Sequence, residues 1–403
     1  MHESEQRVGV LVVGGGSAGI TAAANLLLRM GPALKKQFPV TILEPSRVHY
    51  YQPMWTLVGG GIYPKEYSER LEASVIPRDA RWIQDAAERF CPEENYVLTR
   101  GGQRIHYDYL IVATGLKIDW DKIPGLKESV GKNGVCSNYS IETVDSTWEN
   151  VRDFKGGTAI FTQPNPPIKC GGAPQKAMYL AESYFQQSGV RDRTKVLFCS
   201  AAGGIFSVKK YAETLEKVLV RKHIETHFKH NLIALHPEEK QAIFQNLDTK
   251  EEVAMHYDMI HVTPPQSALD VVKNSTLANK DGWVDVDKYT LQHVQYKNVF
   301  SLGDSSGLPT SKTGAAIRKQ APVVARNLVS VMKGSPDRLH YDGYTSCPLV
   351  TGYKSLVMAE FDYESKPAET FPIDQGKERY SMFLVKKYLL PRMYWNFMLK
   401  GYV

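Results

Sequence analysis

The sequence predicts an α/β fold: two Rossmann-like dinucleotide-binding units followed by a C-terminal region that associates with a membrane surface. Three observations predict it. A glycine turn, Gly14-Gly15-Gly16-Ser17-Ala18-Gly19, stands between an apolar strand-like run and a helix-like run. Short apolar runs then alternate with helical patterns, as a parallel sheet with crossover helices requires. Beyond Gly334 the composition turns aromatic, methionine-containing and basic. The expected organisation is residues 1–118 and 285–333 as the two parts of one dinucleotide unit, 119–284 as a second unit, and 334–403 as the C-terminal region.

Taken in order, Arg7 to Val13 reads as a buried strand and Ala18 to Met30 as the helix after the glycine turn. Val40 to Leu43 is the second strand, which completes an opening βαβ unit. Tyr107 to Ala113 is a further apolar strand, ending in Thr114-Gly115. Thr158 to Thr162 and Val196 to Phe198 read as strands of the second unit, with helices at Pro174 to Gln187 and Val208 to Lys222. Met259 to Thr263 closes that unit before Pro264-Pro265. Val299 to Leu302 returns as a buried strand, followed by Gly303-Asp304 and a helix from Gly314 to Lys333.

Composition narrows the function. The chain has 403 residues and a net charge of +6, with no arginine-rich run and no zinc-finger spacing. Nucleic acid is not expected as a partner; an anionic membrane surface is compatible. The five cysteines, Cys91, Cys136, Cys170, Cys199 and Cys347, are scattered. They form neither a disulfide framework nor a metal knuckle nor a CxxC motif, and no metal site is expected. Met1 to Gln6 is polar and acidic, so no cleavable signal is expected. No run of eighteen uncharged apolar residues is present, so no transmembrane helix is expected.

The glycine turn carries a specific chemistry. Gly14 permits the tight turn, Gly16 lets a pyrophosphate approach the backbone, and Gly19 lets helix and strand pack closely. The helix N-terminus at Ser17 and Ala18 stabilises the phosphate charge. Glu44 ends the second strand, where a carboxylate can accept both ribose hydroxyls. Two more segments, Leu110-Ile111-Val112-Ala113-Thr114-Gly115 and Asn298-Val299-Phe300-Ser301-Leu302-Gly303-Asp304, resemble the second and third signatures of the two-dinucleotide-binding flavoproteins, which include the disulfide reductases. The resemblance implies FAD as cofactor, with Asp304 on the flavin ribitol. It also directs the following helix N-terminus at the pyrimidine end of the ring, a dipole that favours anionic reduced flavin. The second unit is then compared with a nicotinamide module. Its candidate loop, Cys199 to Ser207, has Gly203-Gly204 but not the GxGxxG spacing, so a damaged or absent NADH site is expected.

If NADH is not the donor, another reductant must reach the flavin. Cys170 lies in Pro164-Asn165-Pro166-Pro167-Ile168-Lys169-Cys170-Gly171-Gly172-Ala173-Pro174, a loop that can hold a thiol at a fixed point. Cys347 lies in the Tyr344 to Tyr353 block. These segments, with Tyr50 to Gly59, His261-Val262-Thr263-Pro264-Pro265 and Leu308-Pro309-Thr310-Ser311-Lys312-Thr313, resemble the sulfide:quinone oxidoreductases of mitochondria and bacteria. The resemblance covers the chain from Val8 nearly to its end. It implies that Cys170 and Cys347 are a redox pair joined as a disulfide or trisulfide. It implies FAD contacts from Ser17, Ala18, Glu44, Gln52, Ala87, Asp304 and Gly314, Ala315, Ala316 and Ile317, with Lys312 and Thr313 leading into them. Hydrogen sulfide would attack the bridge, Cys347 would become a persulfide, and the Cys170 thiolate would reduce the flavin. Lys169, Lys176 and Lys312 are candidates for the positive surroundings such a thiolate needs. Cys136 is a candidate third thiol.

The electrons then need a membrane quinone and the sulfur a small acceptor: glutathione, sulfite or another thiol. The tail from Tyr380 to Lys400, divided by Pro391 into two expected short helices, suits a monotopic anchor. The chain is expected at the face of a bacterial cytoplasmic or mitochondrial inner membrane, with a homo-oligomer as an option. Two other readings stay open at this level: a type II NADH:quinone oxidoreductase, and a non-catalytic flavoprotein redox sensor.

Overall fold

Val8 to Val13 is an almost uninterrupted apolar run, the pattern of a strand covered on both faces. In a computed structural model of the chain, describing residues 5–403, it forms the central strand β1 (Glu5–Val13), with Val10, Leu11 and Val12 fully buried. Met1 to Ser4, the start of the polar N-terminal run, lies outside the described residues. The glycine turn leads into α1 (Ser17–Arg29). β2 (Val40–Leu43), β3 (Ala80–Ile83), β4 (Ala87–Cys91), β5 (Tyr96–Thr99) and β6 (Arg104–Val112) complete the order β3-β2-β1-β6-β5-β4.

The second sheet holds β7 (Val135–Cys136), β8 (Gly157–Gln163), β9 (Thr194–Ser200), β10 (Glu225–Phe228) and β11 (Met259–His261), in the order β7-β11-β8-β9-β10. Its crossovers are α2 (Ala173–Gln187), between β8 and β9, and α3 (Lys209–Arg221), between β9 and β10. The chain then returns to the first sheet as β12 (Val299–Ser301), beside β6, and runs into α4 (Gly314–Met332). A hairpin of β13 (Thr345–Gly352) and β14 (Ser355–Phe361) follows.

Register explains why three separate glycine segments meet. Val13 pairs with Leu43 and with Val112, and Ser301 also pairs with Val112. The parallel strands therefore end flush, and Gly14, Thr114-Gly115 and Gly303-Asp304 emerge at one edge, where open α/β sheets bind ligands.

The topology corrects the search for a nicotinamide loop. After the two-residue edge strand β7, β8 opens the long parallel strands of the second unit, with β9 and β10 on one side and β11 on the other. The position equivalent to a phosphate loop is therefore the connection from β8 to α2, residues 164–172, and not Cys199 to Ser207, which follows the second strand. The Cys170 loop fills that position. Gly203 and Gly204 are not among the glycines with positive φ, and an added Cβ on either would meet nothing closer than the Lys229 side chain at 3.9 Å. They serve no tight turn. Phe206 packs edge-on against Phe361, with ring centroids 5.9 Å apart.

The expected division of the tail at Pro391 does not occur. α5 (Tyr380–Leu384) passes through a π-helical turn, Val385–Leu389, into α6 (Leu390–Asn396). Pro391 lies at the start of α6 within this continuous run, and the Lys387 carbonyl four residues before it, to which a proline cannot donate, accepts instead from the Tyr63 hydroxyl at 3.0 Å. The tail has two faces. Met382, Phe383, Tyr394, Met398 and Leu399 are buried, whereas Tyr380, Tyr388, Leu389, Phe397 and Tyr402 are exposed. Among the described residues no helix is long and apolar enough to cross a membrane.

Candidate active site

The glycine turn has the features a pyrophosphate needs. Gly14 has φ +106°, and a Cβ there would lie 2.3 Å from the Ala113 carbonyl oxygen. On Gly19 a Cβ would lie 1.8 Å from the Gly14 carbonyl oxygen, so only glycine lets α1 start this close to the turn. Gly16 is exposed, with no atom within 4 Å of an added Cβ, which leaves an open approach. No side chain caps α1, so its first N–H groups are available to an anion. The Thr114 hydroxyl is buried without a hydrogen-bond partner, and Gly115 has φ +77°. Glu44 accepts from the N–H of Gly15 at 2.6 Å and of Ser46 at 2.7 Å. Burial pushes its carboxyl up against those two bonds. Each oxygen keeps a further lone pair for a ribose hydroxyl. These residues fit a bound dinucleotide.

Gly303 brings the third segment onto the first. It has φ +71°, and a Cβ there would lie 2.8 Å from Ala18 Cβ and 3.5 Å from Ile317. Thr313 caps α4, its hydroxyl accepting from the Ala316 N–H at 3.1 Å. Gly314 and Ala315 open that helix with Ala316. Burial pushes the Asp304 carboxyl up, with Lys312 and Lys169 opposing it. Gln52 accepts from the Lys169 ammonium at 2.6 Å. Ala87 opens β4 and pairs with Thr99, four residues after Ile83, whose carbonyl accepts from the Glu44 N–H at 3.1 Å.

The loop holding Cys170 is pinned to both units. Its N–H donates to the Lys312 carbonyl at 2.9 Å, and the neighbouring Lys169 N–H donates to Gln266 Oε1 at 2.7 Å. Cys170 adopts φ +53°, a left-handed conformation uncommon outside glycine and a mark of strain at functional positions. Cys347, on β13, is buried, and its sulfur lies 3.3 Å from that of Cys170, 177 residues away in sequence. Gly172 makes this approach possible, because a Cβ there would lie 2.5 Å from Cys347 Sγ and 2.3 Å from Leu349 Cδ2. Gly172→Ala is therefore expected to force the two sulfurs apart. The expected result is loss of most sulfide oxidation and about 1–3 kcal/mol of stability, measured by turnover and by thermal melting; wild-type turnover would contradict it.

Charge divides the pair. The Cys347 thiol donates to Cys170 and, against the cost of burial, Lys176 adds its positive field; together they hold Cys170 well below the ordinary thiol range. The same hydrogen bond, with burial, pushes Cys347 well above it. With one proton between them, the negative charge is favoured on Cys170, beside Lys176. Lys176 lies 3.2 Å from Cys170 Sγ. Burial opposes its charge, but the two sulfurs raise its pKa overall.

Of the three lysines expected around the thiols, only Lys176 points at them. The Lys312 ammonium donates to the carbonyls of Asp304 and Ser306, both at 2.8 Å, and sits 3.9 Å above the Trp283 ring. Lys169 is held by Gln52 and lies over Trp55. Burial lowers both to about 8. Lys386 was not expected at the site from the sequence; its buried ammonium donates to the Pro53 carbonyl at 2.9 Å and feels both sulfurs. Burial, with repulsion from Lys176, lowers it to about 7. In the sequence it is one of two adjacent lysines in a tail that suits a monotopic anchor. The π-helical turn that holds it, a local change often found at functional sites, is the signal that singles it out.

Cys136 is fully buried in β7 and paired with His261, and burial pushes its thiol up to about 12. It packs in the same hydrophobic cluster as Cys347. Cys199 is also sealed, at about 12. No group of three or more His, Cys, Asp or Glu side chains suited to a metal ion occurs among the described residues.

Residues 8–151 match the family described as pyridine nucleotide-disulphide oxidoreductase. The mitochondrial sulfide:quinone oxidoreductase of Mus musculus is 48% identical over 394 residues, covering 98% of this chain and 86% of that protein. The corresponding protein of Dictyostelium discoideum is 48% identical, covering 97% and 86%. The solved sulfide:quinone oxidoreductase of Aquifex aeolicus superimposes with a TM-score of 0.83 at 21% identity, covering 98% of this chain and 92% of that one. With that identity sustained along nearly the whole sequence, the chain belongs to the sulfide:quinone oxidoreductase family.

Proposed function

We propose that this protein oxidises hydrogen sulfide at Cys170 and Cys347, passes two electrons through FAD to a membrane quinone, and leaves the sulfur for a small acceptor. The observation that carries the reading is the approach of the two sulfurs to 3.3 Å with Lys176 beside them. Closing that gap to the roughly 2.05 Å of a disulfide needs a shift of about 1 Å, so the reduced pair is placed for re-bridging.

FAD would be held by the turn from Gly14 to Gly19, Glu44, Thr114-Gly115, Gly303-Asp304 and the start of α4. When bound, it supplies an acceptor for the electron pair left on the Cys170 thiolate and a donor to the quinone. The remaining steps belong to the chain. In the bridged form, hydrosulfide attacks Cys347 Sγ. A new sulfur–sulfur bond forms there, the Cys170–Cys347 bond breaks, and Cys170 leaves as a thiolate. A low-pKa thiol is the better leaving group, and Lys176 lowers that of Cys170. Glutathione, sulfite or another thiol then takes the outer sulfur and leaves Cys347 as a thiolate, which re-forms the bond to Cys170, 3.3 Å away, as the electron pair leaves the two sulfurs.

The exposed tail face, Tyr380, Tyr388, Leu389, Phe397 and Tyr402 with Arg392 and Lys400, suits attachment to an anionic bilayer without spanning it. Such attachment would place the protein at a bacterial cytoplasmic or mitochondrial inner membrane. Anaerobic mixing tests the activity. Sulfide is expected to bleach the bound flavin, and added quinone to restore it. Bleaching by NADH alone, with none by sulfide, would overturn the reading in favour of an NADH:quinone oxidoreductase.

A further inference from the structure

The exposed face of the tail continues onto the first unit. Residues 63–70 are laid against the π-helical turn and α6. Tyr63 donates its hydroxyl to the Lys387 carbonyl at 3.0 Å. Its ring stacks on that of Tyr67, with centroids 5.5 Å apart, and Tyr67 is 59% exposed. The Lys387 ammonium lies 5.8 Å from the Tyr63 ring and 5.1 Å from the Tyr388 ring, so one cation spans the segment and the tail. Three residues beyond Tyr67, Arg70 pairs with His49 in a short hairpin. Its guanidinium lies 4.9 Å over the Trp395 ring of α6. At the far end of the tail, a Cβ on Gly401 would lie 2.9 Å from Leu28 Cδ1, and Leu28 is exposed at the end of α1.

Exposed apolar side chains are ordinary when they stand singly. Here Tyr67 and Leu28 adjoin Tyr388, Leu389, Phe397 and Tyr402 of the tail. A patch of this extent marks an interaction surface, and its chemistry selects the occupant. Aromatic rings with cations among them match the headgroup layer of a bilayer. There the rings sit at the boundary of water and hydrocarbon, and the cations reach phosphate. Arg70, Lys387, Arg392 and Lys400 outnumber the two carboxylates beside Tyr67, Glu66 and Glu69, so the surface is net positive. It complements anionic lipid.

We infer that residues 63–70 are a second membrane-contacting element: Tyr67 and Arg70 enter the headgroup layer of an anionic bilayer beside the tail. This rests on the membrane reading above. The tail alone would hold the protein by one end of the chain. The added segment belongs to the dinucleotide unit itself, so attachment at both fixes that unit's orientation to the bilayer that carries the quinone.

The test is binding of the full-length holoenzyme to vesicles of phosphatidylcholine with phosphatidylglycerol, and of phosphatidylcholine alone, by flotation. Arg70→Gln is expected to weaken binding to the anionic vesicles about fivefold and to leave binding to the neutral ones unchanged. Tyr67→Ser should weaken both about fivefold to tenfold, since it removes apolar surface and no charge. Its effect should multiply with that of Phe397→Ser in the tail, because the two side chains enter the bilayer separately. Both side chains are exposed, so melting temperatures should hold. Sulfide-driven reduction of a water-soluble short-chain quinone should stay at the wild-type rate, while reduction of a long-chain quinone in the vesicles falls with binding. Wild-type vesicle affinity in both variants would overturn the inference. If Tyr67→Ser does not fold, unchanged affinity of Arg70→Gln for the anionic vesicles overturns it. Self-association without vesicles that Tyr67→Ser abolishes would also overturn it, in favour of a second copy of the chain on this face. A wild type that binds neither vesicle would remove the membrane reading itself, and this inference with it.

Discussion

Cys170→Ser and Cys347→Ser are each expected to abolish sulfide-driven quinone reduction while FAD content stays near that of the wild type. Serine matches the size of cysteine but cannot form the bridge that hydrosulfide must open. Without it no electron pair is delivered, so the loss is of turnover and not of affinity, about 10³-fold or more. Neither cysteine forms part of the glycine turn or the Glu44 region, so FAD affinity has no reason to fall. The two variants should differ in a second readout. Serine at position 347 keeps a hydroxyl that can donate to the Cys170 sulfur, and Lys176 and Lys386 remain beside it, so the Cys170 thiol should stay depressed and alkylate readily near neutral pH, whereas Cys170→Ser leaves Cys347 poorly reactive. Stopped-flow flavin bleaching, flavin content by absorbance and alkylation rates measure all three. Full activity in either variant would refute the pair as the sulfide-oxidising centre.

Lys176→Met should have the next largest effect. Methionine fills most of the lysine's volume, and the thiolate then stands buried with its nearest cation gone. Removing one partner of a buried ion pair commonly costs several kcal/mol, which the surviving group avoids by taking up a proton. The Cys170 thiol is therefore expected to rise, and sulfide oxidation near pH 7 to fall about 10²-fold. Lys386 limits the loss. With Lys176 absent, the repulsion that helps lower it disappears, and it stays protonated to higher pH. The stability consequence has a definite sign. The Cys170 pKa is depressed in the folded state, so the thiolate stabilises the fold above its unfolded pKa of about 8.5, and that contribution is lost as pH falls through the folded value. Lys176→Met should flatten this slope in melting curves of the reduced protein. An unchanged alkylation profile for Cys170 would contradict the assignment.

The sequence by itself determined the two sheets, the glycine turn and the chemistry of its residues. Near-continuous valine and leucine runs mark strands covered on both faces, and glycine followed by a helix marks a place where backbone must meet phosphate. Both signals are local, written within a few residues, so Gly14, Gly19, Gly303 and the start of α4 were legible without coordinates. Family resemblance added the two cysteines as a pair. Only the tertiary structure decided their geometry. Strand order showed that the Cys170 loop occupies the phosphate-loop position of the second unit, a fact of sheet topology and not of spacing. Folding also sorted the lysines: Lys312 braces the Asp304 segment, Lys176 faces the sulfur, and Lys386 turns inward from a tail that reads as a monotopic anchor. Tyr394 reaches Ser17 across 377 residues by the same route. The direction of a side chain and the charge on a buried group depend on what packs around them, and those neighbours come from distant parts of the chain.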